Sequence, residues 1–343
     1  MLKVGLVGIG FMGRGHLDVY KRLKKEGAPV KLVSICDIDE KKFAGKFIKG
    51  NIDVGTVDYD FSKYNLYTDL EEMITQEKMD YLDIALPTYL HAEATIMALE
   101  EGLHVLCEKP MALNKEECQE MIDASLTNDK KLMIAQCLRF WPHYQELKKY
   151  VESGEFGQVL AGYFYRGGGT PRWSYQNWLL NKDKSGGVLL DQHIHDVDMI
   201  NWLFGKPESV STIGRNVIEG SGYDIVTTNY IYRDKKVVNA QDDWVLQGDY
   251  GFNMRYRVNF AKGNLVFENN KLTVNPEKGD SFSPDLSEDN GYYREIKYFI
   301  DAILQEREIT ISDPVSTMET IVIAEKEKES ADKNGQPVEV NNK

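Results

Sequence analysis

The sequence predicts an α/β protein in two domains. A doubly wound parallel sheet is expected over residues 1–125, and an α/β domain with a mostly antiparallel sheet over 126–343. Three observations predict this. The glycine-rich turn Gly8-Ile9-Gly10-Phe11-Met12-Gly13 stands between a strand-like and a helix-like run. Apolar strand patterns then alternate with helix patterns through residue 125. Beyond Val159 the period changes to two: Phe252, Met254, Tyr256, Val258 and Phe260 alternate with Asn253, Arg255, Arg257 and Asn259.

The bulk numbers narrow the function classes. A chain of 343 residues, 42% hydrophobic, can bury two cores. A net charge of -13 argues against a nucleic-acid or acidic-membrane partner. No apolar run approaches the ~20 residues that cross a bilayer. Met1-Leu2-Lys3-Val4 carries no cleavable signal pattern, so a cytoplasmic location is expected. Cys36, Cys107, Cys118 and Cys137 are widely spaced and read as reduced thiols. No spacing of ligand residues marks a metal site.

In chain order, Val4 to Val7 reads as a strand and Arg14 to Glu26 as a helix. In the turn between them Gly8 permits a tight bend, Gly10 lets a pyrophosphate approach the backbone, and Gly13 lets helix and strand pack closely. The helix N-terminus adds unpaired N–H groups and a positive dipole end. Strand Val30 to Cys36 ends in Asp37. An acid there is placed to accept from the adenosine ribose hydroxyls and to repel a 2′-phosphate. Ile38 follows where a phosphate site favours a basic residue, so NAD is expected rather than NADP. Asp37 also fits a helix N-cap before Glu40-Lys41-Lys42.

Asn51 to Asn65 is polar and reads as a surface excursion. Asp69 to Glu77 reads as a short helix with Asp69 as cap. Tyr81 to Leu86 is a buried parallel strand, followed by Pro87-Thr88 and a helix from Leu90 to Glu101. His104 to Cys107 is another strand, ending in Glu108-Lys109-Pro110, and Lys131 to Ala135 fits a last one. Ligands of such sheets bind beyond the carboxyl ends of strands. Asp37, Thr88 and Lys109 all fall there.

Trp141-Pro142 opens a helix to about Ser153, closed by Gly154 and Gly157. Ser209 to Thr212, Ile225 to Tyr232, Lys236 to Val245 and Leu265 to Phe267 read as further strands. Tyr292 to Glu306 and Thr317 to Asp332 read as closing helices, with a short strand at Val338 to Val340. Ser185 to Asp198 reads as a glycine pair running into a helix. Asp191, His195 and Asp198 share one face of it, beside an apolar stripe of Leu190, Ile194 and Val197. Such an acid and imidazole suit proton transfer, or else form a hydrogen-bonded structural pair.

Four motifs occur together in order and spacing: Gly8-Ile9-Gly10-Phe11-Met12-Gly13, Leu86-Pro87-Thr88-Tyr89-Leu90-His91, Glu108-Lys109-Pro110, and Gly186-Gly187…Asp191…His195…Asp198. Along nearly the whole chain they resemble the glucose-fructose oxidoreductase/inositol dehydrogenase (Gfo/Idh/MocA) superfamily. The resemblance implies a Rossmann domain joined to an α/β domain whose large open sheet forms a homodimer or homotetramer contact. It implies NAD(P)-dependent oxidoreduction, with Lys109, Asp191 and His195 matching the catalytic trio. Phe11 and Met12 match the turn whose amides face the pyrophosphate. Leu86, Pro87, Thr88 and His91 match the cofactor-side loop, and Glu108 and Lys109 match positions that touch the nicotinamide ribose. In one departure, His193 stands where many members have glycine. At roughly 200° around a helix from Asp191, it is expected to point away from the trio.

Oxidising a secondary alcohol removes a hydroxyl proton while a hydride leaves the same carbon. His195 is expected as general base. Asp191 is expected to bind a substrate hydroxyl and support the charged imidazole. Lys109, facing the helix across a cleft between the domains, is expected to stabilise the developing alkoxide. The substrate expected is small and polyhydroxylated: a sugar, sugar derivative or cyclitol. Arg166 and the aromatics Trp173, Tyr175 and Trp178 offer a guanidinium and flat faces to such a ring. Two other readings compete: an NAD-dependent glycosidase using transient oxidation, and a non-catalytic cofactor sensor. The retained trio argues against the sensor.

Overall fold

Strand and helix alternate from the first residues of the computed structural model, which describes residues 1–45 and 59–340. The order is β1 (Leu2–Val7), α1 (Phe11–Lys25), β2 (Val30–Cys36), β3 (Asn65–Tyr67), α2 (Leu70–Gln76), β4 (Tyr81–Ile84), α3 (His91–Glu100), β5 (His104–Glu108), α4 (Lys115–Thr127) and β6 (Leu132–Ala135). These strands form a six-stranded parallel sheet in the order β3-β2-β1-β4-β5-β6. Its winding reverses between β1 and β4, the place where such sheets bind ligands. The strands are short apolar runs because both faces of a parallel sheet are covered; all four residues of β4 are buried. The starts of α2 and α4 follow side-chain caps. Asp69 accepts from Glu72 N at 2.8 Å and Asn114 from Glu117 N at 2.9 Å.

Of the polar stretch 51–65 expected as a surface excursion, 51–58 lies outside the described residues. Asn65 opens β3, whose three residues are too few to show a period.

The chain continues through α5 (Pro142–Ser153), β7 (Val159–Gly167), α6 (Lys182–Ser185), α7 (Val188–Asp191), α8 (Ile194–Phe204), β8 (Ser209–Arg215), β9 (Ile225–Ile231), β10 (Val237–Asp243), β11 (Asn253–Phe260), β12 (Gly263–Glu268), β13 (Lys271–Pro276), α9 (Gly291–Leu304), α10 (Pro314–Asp332) and β14 (Val338–Glu339). The second sheet has eight strands in the order β13-β12-β11-β7-β10-β9-β8-β14. It is antiparallel except for the β7–β10 pair. The period-two pattern of β11 explains its two faces. Tyr256, Val258 and Phe260 are buried, while Arg255 and Arg257 lie over the rings of Tyr165 and Tyr163 on the other side.

Two compact units result. One holds Met1–Cys137, Trp173–Trp178 and Gly291–Met318; the other holds Leu138–Arg172, Leu179–Asn290 and Glu319–Lys343. A boundary at residue 125 falls inside α4, and the first unit runs on because β6 pairs with β5. The helix α9, expected to close the second domain, instead packs on α1 and β6. Its apolar face, with Ile296, Phe299 and Ile300 buried, completes the first core.

Candidate functional site

The glycine turn shows three different needs for glycine. Gly8 has φ +86°, and a Cβ there would lie 2.4 Å from Ala85 O. A Cβ on Gly13 would lie 1.8 Å from Gly8 O, so only glycine lets α1 start this close to β1. Gly10 has φ -68°, and an added Cβ would meet nothing within 4 Å among the described residues. Neither packing nor strain requires glycine at that point. An open position at the N-terminus of α1, where Phe11 and Met12 form the first turn, fits a pyrophosphate.

Asp37 follows β2 and ties that strand end to the turn. Its Oδ2 accepts from Ile9 N at 2.9 Å and its Oδ1 from Asp39 N at 3.0 Å. The helix cap read for Asp37 belongs to Asp39, which accepts from Lys41 N at the head of a 3₁₀ turn, Glu40–Ala44. Ile38 is 79% exposed.

The loops after β4 and β5 are joined by one side chain. His91 is buried, with Nδ1 2.8 Å from Pro110 O and Nε2 2.8 Å from Leu86 O. Burial pushes its pKa down, and the two carbonyls act against that. Both ring nitrogens face the backbone, so His91 braces the loop of Leu86, Pro87 and Thr88. Thr88 is buried; Leu86 and Pro87 are half-buried.

Glu108 also turns inward. Its Oε1 pairs with His16 Nε2 at 2.9 Å and its Oε2 accepts from Lys109 N at 3.1 Å. The position expected against a nicotinamide ribose therefore anchors the strand end. It leaves Lys109, half-buried beside the cis Lys109–Pro110 peptide, as the cationic side chain there.

In the second unit the expected continuous helix is broken. His193 N donates to Val188 O at 2.8 Å, a five-residue step, and α8 restarts at Ile194. This widened turn interrupts the regular helical repeat between Asp191 and His195. His193 is fully buried, with Nε2 3.5 Å from Glu327 Oε2 and Nδ1 4.0 Å from Asp242 Oδ2. Burial lowers its pKa, but Glu327 and Asp242 outweigh that and raise it. Between Gly187 and Ile200, Asp191 and His195 alone are not buried. Asp198, expected on their face, is buried in a two-pronged pair with Arg139, at 2.8 and 2.7 Å, and braces α8.

The substrate-side expectations are redistributed. Arg166 is buried, and its Nη2 donates to Asp196 Oδ1 at 3.0 Å. Its guanidinium is engaged with α8 rather than displayed for a ring. Trp173 and Trp178 are half-buried and Tyr175 exposed, in a segment grouped with the first unit. The Tyr175 ring centroid lies 5.1 Å from Lys42 Nζ, which pairs with Asp37.

Residues 2–136 match the family model described as "Oxidoreductase family, NAD-binding Rossmann fold", and 144–266 match "GFO/IDH/MocA C-terminal domain". The chain belongs to the GFO/IDH/MocA family. Its first unit contains that family's NAD-binding Rossmann domain, and the open position at Gly10 fits that cofactor. A 2,7-anhydro-N-acetylneuraminate hydratase of Mediterraneibacter gnavus is 29% identical over 67% of this chain and 59% of its own length. An inositol 2-dehydrogenase of Salmonella typhimurium is 28% identical over 60% of this chain and 55% of its own. Such matches span little more than half of the relative. A myo-inositol 2-dehydrogenase of Thermotoga maritima, 26% identical, matches over 87% of both chains. A levoglucosan dehydrogenase structure in complex with NADH and levoglucosan shares the fold, with TM-score 0.83, 23% identity and coverage of 99% of this chain and 100% of that one.

Several residues that shape this GFO/IDH/MocA site escaped the sequence reading. His16 sits on the buried face of α1, with Nδ1 2.9 Å from Asp83 and Nε2 2.9 Å from Glu108. Glu295 of α9 joins them, and one ligand-type atom from each of His16, Glu108 and Glu295 lies within 4.8 Å of the others. Both His16 nitrogens are already hydrogen-bonded to carboxylates, so this is an internal ion cluster rather than a bare ligand set. One signal was legible: His16 is a polar residue three positions after Gly13, on the face of α1 that packs on the sheet.

Proposed function

We propose that this chain is an NAD-dependent dehydrogenase acting on a secondary alcohol of a sugar, sugar derivative or cyclitol. One observation carries the reading. An otherwise buried segment, Gly187 to Ile200, leaves an acid and an imidazole, Asp191 and His195, as its partly exposed side chains. Bound NAD supplies the hydride acceptor. His195 accepts the hydroxyl proton at an imidazole nitrogen. Asp191 accepts a hydrogen bond from a neighbouring substrate hydroxyl and favours the protonated ring. Lys109 donates to the reacting oxygen as negative charge develops on it. The inositol and levoglucosan dehydrogenase relatives act, by name, on polyhydroxylated rings, and this supports the substrate class.

The hydratase relatives favour a second reading, in which oxidation is transient and the cofactor is restored within each turnover. A panel of inositols, aldoses, polyols and anhydrosugars separates the two. The dehydrogenase reading expects absorbance of reduced cofactor with at least one ring alcohol. Substrate loss with no net reduction refutes it in favour of the second. The exposed sheet face carrying Ile213, Ile231 and Val237 is proposed as the contact of a homodimer or homotetramer.

A further inference from the structure

The Asp37 end of the cofactor site holds a charge that the NAD reading does not use. An ionised carboxylate offers about four acceptor positions on its two oxygens. On Asp37, Ile9 N fills one and Asp39 N another. Lys42 Nζ reaches both oxygens, at 2.9 and 2.7 Å, and fills the rest. The Asp37 side chain is 3% exposed and that of Lys42 16%, so the ammonium is the more accessible member of the pair. The ring of Tyr175 flanks it.

The backbone under Lys42 is held independently. Arg14 donates to Lys42 O and Gly45 O, each at 3.3 Å, and its guanidinium lies over the rings of Tyr59 and Phe61. Movement at this point is therefore left to the Lys42 side chain.

We propose that Lys42 sets cofactor choice: seated on Asp37 it receives the 2′-phosphate of NADP, and swung away it yields the carboxylate to the ribose diol of NAD, so that the chain binds both. A bare Asp37 repels a phosphate, whereas a carboxylate neutralised by an ammonium does not. Lysine is also a point-charge phosphate binder. A diol needs carboxylate acceptors, and those become available only when Lys42 leaves. The proposal rests on the reading of Asp37 as the ribose-end acid.

The test is equilibrium binding of NADH and NADPH to the full chain without substrate, followed by cofactor fluorescence. The parent is expected to bind NADPH within about tenfold of NADH. Lys42→Met is expected to weaken NADPH at least about tenfold, the loss of one hydrogen bond to a charged group, while NADH binds as tightly or more so. Lys42→Gln, which keeps a donor without charge, is expected to shift the ratio the same way and serves if the first variant folds poorly. A parent that does not bind NADPH overturns the proposal. So does a Lys42 variant that moves both affinities together or neither. Asp37→Ala separates the premises. If it weakens NADH while Lys42→Met is silent, this proposal alone falls. If it leaves NADH unchanged, the ribose-end reading falls, and this proposal with it.

Discussion

Glu295→Gln tests the buried cluster under β5. Glu295 is fully buried on α9, and among the described residues neither carboxyl oxygen has a hydrogen-bond partner. Burial holds its pKa well above the ordinary 4.5, Glu108 and Asp83 push it further up, and His16 opposes them. The folded chain therefore keeps a proton that the unfolded chain releases above pH 4.5. Stability from this group is fully present below 4.5 and is lost as pH rises toward the folded value, by about 1.4 kcal/mol for each pH unit. His16 acts with the same sign. Burial lowers its pKa, but Asp83 and Glu108 outweigh burial and raise it well above 6.5. Its contribution is complete below 6.5 and declines as pH passes the folded value. Glutamine keeps the size of Glu295 and removes the titration. Between pH 5 and 7 the variant should gain up to ~2.7 kcal/mol relative to the parent. Urea unfolding of both proteins at pH 5, 6, 7 and 8, read by tryptophan fluorescence, measures this. A difference that stays constant across pH refutes the protonated Glu295.

Three further outcomes follow from the site. Gly10→Ala should melt like the parent, because its methyl meets nothing, yet bind NADH at least ~10-fold more weakly; Gly13→Ala should lose stability through its contact with Gly8 O. Thermal melting and fluorescence titration separate the two. Arg139→Met leaves Asp198 buried without its guanidinium, and breaking such a pair costs about 3–5 kcal/mol, which denaturant unfolding reads directly. His195→Ala should lower turnover on an oxidised substrate by ~10²–10⁴-fold with NADH affinity unchanged; turnover within twofold of the parent removes His195 as the base.

The local grammar of the chain carried much of the fold. The cap Asp69, the end of α5 at Gly154 and the alternation in β11 depend on neighbours a few residues away, so periodicity and turn chemistry reveal them. The glycine turn and the acid after β2 were legible for the same reason. What escaped depends on residues brought together by topology. The break between α7 and α8 is invisible to helical spacing, because it surrounds His193, whose acidic neighbours Glu327 and Asp242 lie far along the chain. The inward turn of Glu108 needs His16 from α1, and the burial of Arg166 needs Asp196 from α8. The assignment of α9 to the first unit rests on an apolar face that fits α1 and β6, a choice no local pattern expresses. The sequence by itself indicated most of the strands and helices and the glycine turn at the head of α1, but not β3, β13 or the break between α7 and α8. The tertiary structure decided which charged side chains are displayed and which are spent inside. A buried charge must find a partner to offset its desolvation, and that partner is set by packing rather than by position in the chain.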